Sequence, residues 1–277
     1  MPDAFDHCAV LVREADRDRY LATLFAPANR RGALFALYAF NSEIARVREQ
    51  IRQPMAGEIR LQWWRDALGQ PGSDDVRSNP VAAALLDVVV RFRIPAASLM
   101  AIITAREFDL YDDPMPTLGA LEAYGEKTSS ALIDMAATIL GTGSADLSPA
   151  IRHGGIAYGL AGLLRAFPLH ASRGQLYVPL EILERHGARP GDVLAGRATA
   201  EIRAVLTEMR ALARHHFDAY VAAARAVTPQ VAPAFLPVSL VPLYLRRLEA
   251  SRHEPFRLID VPAWRRQWTM WRAARRM

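Results

Sequence analysis

Between Asn29 and Ile51 the apolar residues Ala33, Leu37, Phe40, Ile44, Val47 and Ile51 return at steps of four and three, the spacing that lines one face of an α-helix. A chain with such a stripe must cover it, and the rest of the sequence offers helices to do so. The same periodicity predicts helices at Glu58–Leu68, Pro80–Phe92, Ala96–Leu110, Thr117–Leu140, Ser148–Ala166, Ala200–Val227, Leu236–Arg252 and Pro262–Arg275. Breakers such as Gln70-Pro71-Gly72-Ser73, Asp113-Pro114, Gly141-Thr142-Gly143 and Arg189-Pro190-Gly191 separate them. No run of alternating β-branched residues stands out, and Val88-Val89-Val90 sits inside a helical frame. The expectation is an all-α fold. At 277 residues, 51% of them apolar, one large core or two small ones would fit. No repeat or linker divides the chain, so residues 1–277 are expected to form a single-domain helical bundle.

Charged residues interrupt every apolar run short of the roughly 18 that a spanning helix needs. The opening residues Met1-Pro2-Asp3-Ala4-Phe5-Asp6 carry acids where a leader would be basic, and the lone Cys8 suits a reducing compartment. A cytoplasmic protein, peripheral at a membrane if associated with one, is expected. The net charge of +5 is almost wholly arginine, Lys127 being the only lysine. Guanidinium recognises phosphate and carboxylate bidentately, which favours anionic ligands or lipid surfaces. The arginines are dispersed, without a zinc-finger or aromatic RNA-binding pattern, so nucleic acid is not expected. His215 and His216 are adjacent and point apart on a helix, which argues against a shared metal.

Arg30-Arg31-Gly32-Ala33-Leu34-Phe35-Ala36-Leu37-Tyr38-Ala39-Phe40, Trp63-Trp64-Arg65, Arg106-Glu107-Phe108-Asp109-Leu110, Tyr124-Gly125-Glu126-Lys127 and Arg173-Gly174-Gln175-Leu176-Tyr177-Val178-Pro179 occur in that order. Together they resemble the squalene/phytoene synthases. The resemblance extends to Leu236–Glu249 and implies a bundle of helices around a central cavity, where two prenyl diphosphates are joined over magnesium held by two aspartate motifs. At the aspartates of the first motif this chain has Ala45, Arg46 and Glu49, with Asn41 and Ser42 before them. At the second it has Ala166 and His170, beside Arg165. One glutamate is a poor substitute for carboxylates on two facing helices. Pro168 is expected to kink or end its helix, moving His170 off the old face.

Phe40-Asn41-Ser42-Glu43-Ile44-Ala45 and Leu164-Arg165-Ala166-Phe167-Pro168-Leu169-His170 further resemble a divergent branch of the family that assists assembly of respiratory complex I (NADH dehydrogenase). That resemblance implies a non-catalytic helper, with complex I subunits or assembly factors as partners, a prenyl diphosphate or anionic lipid as ligand, and a place at the inner membrane. No metal or other cofactor is expected. An active prenyltransferase, the alternative, would need Mg²⁺. The candidate ligand-binding residues are Tyr38, Asn41, Arg46, Glu49, Arg165, Arg173 and Tyr177. Each has a plainer reading: core packing for the tyrosines, a solvated pair for Glu49, and neutralisation of acids such as Glu107 and Asp109 for the arginines. Trp264, Trp268 and Trp271 form one stripe at i, i+4 and i+7, with Arg272 among the flanking arginines. The stripe is a candidate membrane or partner contact, although packing inward to close the bundle is slightly favoured.

Overall fold

The computed structural model describes residues 3–51, 53–70, 73–141, 145–250 and 254–276. These are helical almost throughout, with no strand among them. In chain order the α-helices are α1 (Ala4–Ala15), α2 (Arg17–Thr23), α3 (Ala28–Ala45), α4 (Val47–Gln50), α5 (Pro54–Gly69), α6 (Asp74–Ser78), α7 (Pro80–Phe92), α8 (Ala96–Arg106) and α9 (Leu118–Gly125). They continue as α10 (Ala131–Leu140), α11 (Ser148–Ser172), α12 (Leu180–Arg185), α13 (Pro190–Leu194), α14 (Ala200–Ala223), α15 (Ala232–Phe235), α16 (Val241–Leu248) and α17 (Ala263–Ala274).

α3 is the axis of the bundle. Besides the expected stripe, Leu34, Phe35, Ala36, Tyr38 and Ala39 are buried as well, so this helix is covered on all sides. Phe40 meets the fully buried Trp64 of α5 edge-to-face at 5.0 Å. α1 and α7 pack on α3, and α11 packs most extensively on α14. A core drawing on residues from Cys8 to Leu248 is contiguous, and a smaller cluster of Ala22, Leu236, Leu240, Leu243, Tyr244, Val261 and Met270 seats α17.

Three departures from periodicity shape the interior of the bundle. The helix expected through Ile51 breaks at Arg46, whose backbone leaves helical geometry (φ −96°, ψ 2°), and α4 restarts at Val47. The segment expected as one helix from Thr117 to Leu140 contains a π-helical stretch, Glu126–Ser130, between α9 and α10. Such bulges insert a residue into the helical ladder and often accompany functional sites. Gly155 of α11 lies against it, and a methyl group there would collide with the backbone of Ser130.

The third departure corrects the expectation for Pro168, which neither ends nor visibly breaks α11. The lost amide and ring clash cost about 3 kcal/mol in a helix interior. Leu164, Phe167 and Ala171 are buried on either side of it, and that packing holds the last turn in place. The helix expected to run from Leu236 begins instead as a 3₁₀ segment, Leu236–Leu240, and α16 ends at Leu248; the expected end at Arg252 lies outside the described residues.

Candidate functional site

α2, the end of α3, the start of α4, α8, α9, the π-helical stretch and α11 surround a cavity of about 520 Å³. Asn41 and Ala45 face it from the last turns of α3, and Arg46 and Glu49 from the break and α4. From α11, Arg165, Ala166 and His170 line the same space, so Arg46 and Arg165 converge on one cavity. Because α11 continues through Pro168, His170 keeps to the cavity face one turn beyond Ala166. Burial pushes His170 down to about 4, so at neutral pH it is an uncharged imidazole.

Charge is unevenly distributed around this space. Six arginines line it, Arg17, Arg19, Arg46, Arg106, Arg165 and Arg266, against four carboxylates, Glu14, Asp16, Asp18 and Glu49. Most of the acids are already engaged. Asp16 accepts from the Arg19 guanidinium at 2.6 Å and from the Arg19 amide at 3.0 Å, capping α2. Burial opposes the Arg19 charge, but Asp16 and the rings of Tyr158 and Tyr38, 5.1 and 5.6 Å away, hold it firmly protonated. Asp18, only 4% exposed, accepts from Arg266 at 2.9 Å and from the Tyr244 hydroxyl, and lies 3.5 Å from Arg165. The Arg165 guanidinium also covers the Tyr244 ring at 3.9 Å. Glu49 is spanned by Arg173 at 2.8 Å and Arg46 at 3.6 Å.

Behind the cavity wall, Asp109 closes a second knot. Its carboxylate accepts from Tyr177 at 2.7 Å, Tyr124 at 2.8 Å and Arg106 at 3.0 Å. The turn that brings Tyr177 and Gln175 there passes through Gly174 at φ +79°, a conformation that favours glycine. Glu107 is taken up by Arg65. Three buried polar atoms without a partner belong to residues that line the cavity: Asn41 Oδ1, Arg106 Nε and Arg266 Nε. Leaving such a group unpaired costs about 1–3 kcal/mol each.

The donor set does not suit Mg²⁺. That ion needs hard, free oxygen ligands on both sides of a substrate phosphate. Here Glu49 is held by two arginines, the opposite helix offers Ala166 and a neutral His170, and Asp16 and Asp18 are bound to arginine. No group of three or more His, Cys, Asp or Glu side chains suited to a metal ion occurs among the described residues. An anion suits the surplus of arginine better.

Of the residues singled out in the sequence, Asn41, Arg46, Glu49 and Arg165 meet at the cavity, and Arg173 reaches it only through Glu49. Tyr38 and Tyr177, candidates for ligand binding, do not line it and keep to their plainer reading as buried core residues. Tyr38 lies beneath Arg19, while Tyr177 is bound to Asp109 with its ring 4.6 Å from that of His170. Nor do Arg46, Arg165 and Arg173 neutralise Glu107 or Asp109; their partners are Glu49 and Asp18. His216 turns from His215 to meet His153 at 3.0 Å and Glu122 at 3.1 Å. Periodicity did not flag Asp16, Asp18, Arg19, Tyr158 or Arg266. The alternating-sign run Asp16-Arg17-Asp18-Arg19 was the one signal that could have marked α2. The inward packing favoured for the tryptophan stripe is also overturned. Met270 and Arg266 take the buried side of α17, leaving Trp264, Trp268 and Trp271 exposed.

A sequence model of the family described as squalene/phytoene synthase matches residues 12–272. The "NADH dehydrogenase (ubiquinone) complex I, assembly factor 6" of Rattus norvegicus is 31% identical over 249 residues, which span 90% of this chain and 75% of that protein. "Phytoene synthase 3, chloroplastic" of Zea mays is 29% identical over 226 residues, 77% of this chain and 51% of that one. Among solved structures, a dehydrosqualene synthase in complex with ligand superposes with a TM-score of 0.83 at 19% identity, covering 99% of this chain and 96% of the other. That likeness establishes the all-α isoprenoid-synthase fold.

Proposed function

Since the chain belongs to the squalene/phytoene synthase family, we propose that it is a single-domain, non-catalytic member that assists assembly of respiratory complex I from the periphery of the inner membrane. In this reading the cavity holds an anionic amphiphile, a prenyl diphosphate or an anionic lipid, through arginine in place of magnesium. The observation that carries it is the replacement of both acidic faces within an intact scaffold. By the resemblance of the two motifs, Ala45, Arg46, Ala166 and His170 stand in place of the family's metal-binding acids; all four line the cavity, and the remaining Glu49 is spanned by Arg46 and Arg173. The role named for the mammalian relative supports complex I as the object of that help. No described helix is long and apolar enough to cross a membrane, which accords with action at its surface.

Deleting the gene and measuring assembled complex I together with NADH oxidation tests the role; both should fall, and unchanged levels would sink it. Restoring the gene as Glu49→Gln should rescue assembly, because no metal-bound step depends on that carboxylate. Head-to-head condensation of prenyl diphosphates is less well supported. It would require farnesyl or geranylgeranyl diphosphate and Mg²⁺ to yield pyrophosphate with the purified protein, and a cavity built for arginine–anion contacts should yield none.

A further inference from the structure

α17 has two unlike sides. Inward, Met270 is fully buried against Ala22, Leu236 and Leu240, and Arg266 reaches Asp18 at the cavity wall. Outward, Trp264, Trp268 and Trp271 are 62%, 54% and 38% exposed and, with Gln267, form one open apolar groove. The rings of Trp268 and Trp271 are stacked at 4.9 Å, Arg265 lies over Trp264 at 5.2 Å, and Arg275 lies over Trp271 at 4.3 Å. Arg265, Arg272, Arg275 and Arg276 are exposed, and none has a carboxylate within 4 Å among the described residues. The helix itself contains no acid.

Three neighbouring indoles in water forgo a large apolar burial, and four unneutralised guanidinium groups around them repel one another. An anionic lipid surface relieves both costs together. Indoles rest in the headgroup region, where one edge is apolar and the N–H is wet, while guanidinium groups bind lipid phosphates. A second copy of the chain does not fit, since a two-fold contact through this face would bring the same arginines against each other. We infer that α17 is the docking face of the protein on an anionic bilayer, with Trp264, Trp268 and Trp271 entering the interface and Arg265, Arg272, Arg275 and Arg276 on its phosphates. This rests on the membrane-peripheral placement proposed above and supplies its contact. Through Arg266 and Asp18, the docked helix also forms part of the cavity wall.

The full chain should co-sediment with vesicles of phosphatidylcholine plus phosphatidylglycerol, with a blue shift in tryptophan emission, and should not bind phosphatidylcholine alone. Added salt should weaken the binding. Replacing Trp264, Trp268 and Trp271 together by Ser should weaken it at least about tenfold, and each of Arg272→Ser and Arg275→Ser by about fivefold. Unchanged thermal melting would show these exposed changes leave the fold intact. Equal binding to both vesicle types, a triple variant that binds like the parent, or tryptophan variants that lose only self-association or a protein partner would each overturn the inference. Vesicle binding without an assembly defect on gene deletion would uphold the docking and remove the assembly role; a defect without vesicle binding would do the reverse.

Discussion

Two buried carboxylates, Asp18 and Asp109, are held in nearly the same degree of seclusion, 4% and 5% exposed, and each is bound by tyrosine hydroxyl and guanidinium. They differ in stoichiometry. Asp109 has one arginine and two tyrosines, and its charge is cancelled behind the cavity wall. Asp18 faces two arginines, Arg165 and Arg266, on the wall itself, so a positive charge is left over for whatever occupies the cavity. A balanced knot fixes structure, whereas an unbalanced one beside open space is a binding surface.

Breaking the balanced knot should cost most. Asp109→Ala strands Arg106 and two tyrosines, and is expected to lower unfolding free energy by about 3–5 kcal/mol in denaturant titration. Next comes His170, packed on Tyr177 and held neutral down to about pH 4. As pH falls below the usual 6.5, the unfolded chain gains a proton that the native chain refuses. Stability should therefore decline between pH 6.5 and 4, by up to about 3 kcal/mol, and His170→Asn should flatten that slope.

Asp18→Asn keeps an acceptor for Tyr244 but removes the charge facing Arg165 and Arg266. A loss of about 2 kcal/mol is expected. Pyrophosphate should raise the melting temperature of this variant more than that of the parent; equal shifts would place the anion elsewhere. The smallest effect belongs to the half-exposed Glu49, whose replacement by Ala should cost less than about 1 kcal/mol. It should also tighten anion binding measured by calorimetry, since Arg46 and Arg173 are released.

The long helices were legible because each carries an apolar stripe, and so were the residues of α3 and α11 that meet at the cavity. α2 was not, because its buried residues include Asp18 and Arg19, which are hidden by pairing rather than by apolar character. Periodicity cannot reveal which polar groups find partners. The same limit concealed Arg266 among the many arginines, since what turns it inward is a carboxylate 248 residues away. For α17, spacing marked the tryptophan stripe correctly but could not say which side the bundle would claim; Met270 and the Asp18 contact decided that. The continuity of α11 through Pro168 was likewise a matter of packing on other helices.

The span between Asp18 and its partners also bears on the order in which the protein assembles itself. Arg165, Tyr244 and Arg266 all lie far along the chain from α2, so joining them closes very large loops whose entropy must be lost before any contact forms. The α11–α14 pair is closer in sequence and far more extensive, which makes it the earlier nucleus. In pulse-labelled refolding, amides of α11 and α14 should gain protection before those of α17, so the cavity acquires the Arg266 part of its wall only as the native state is reached.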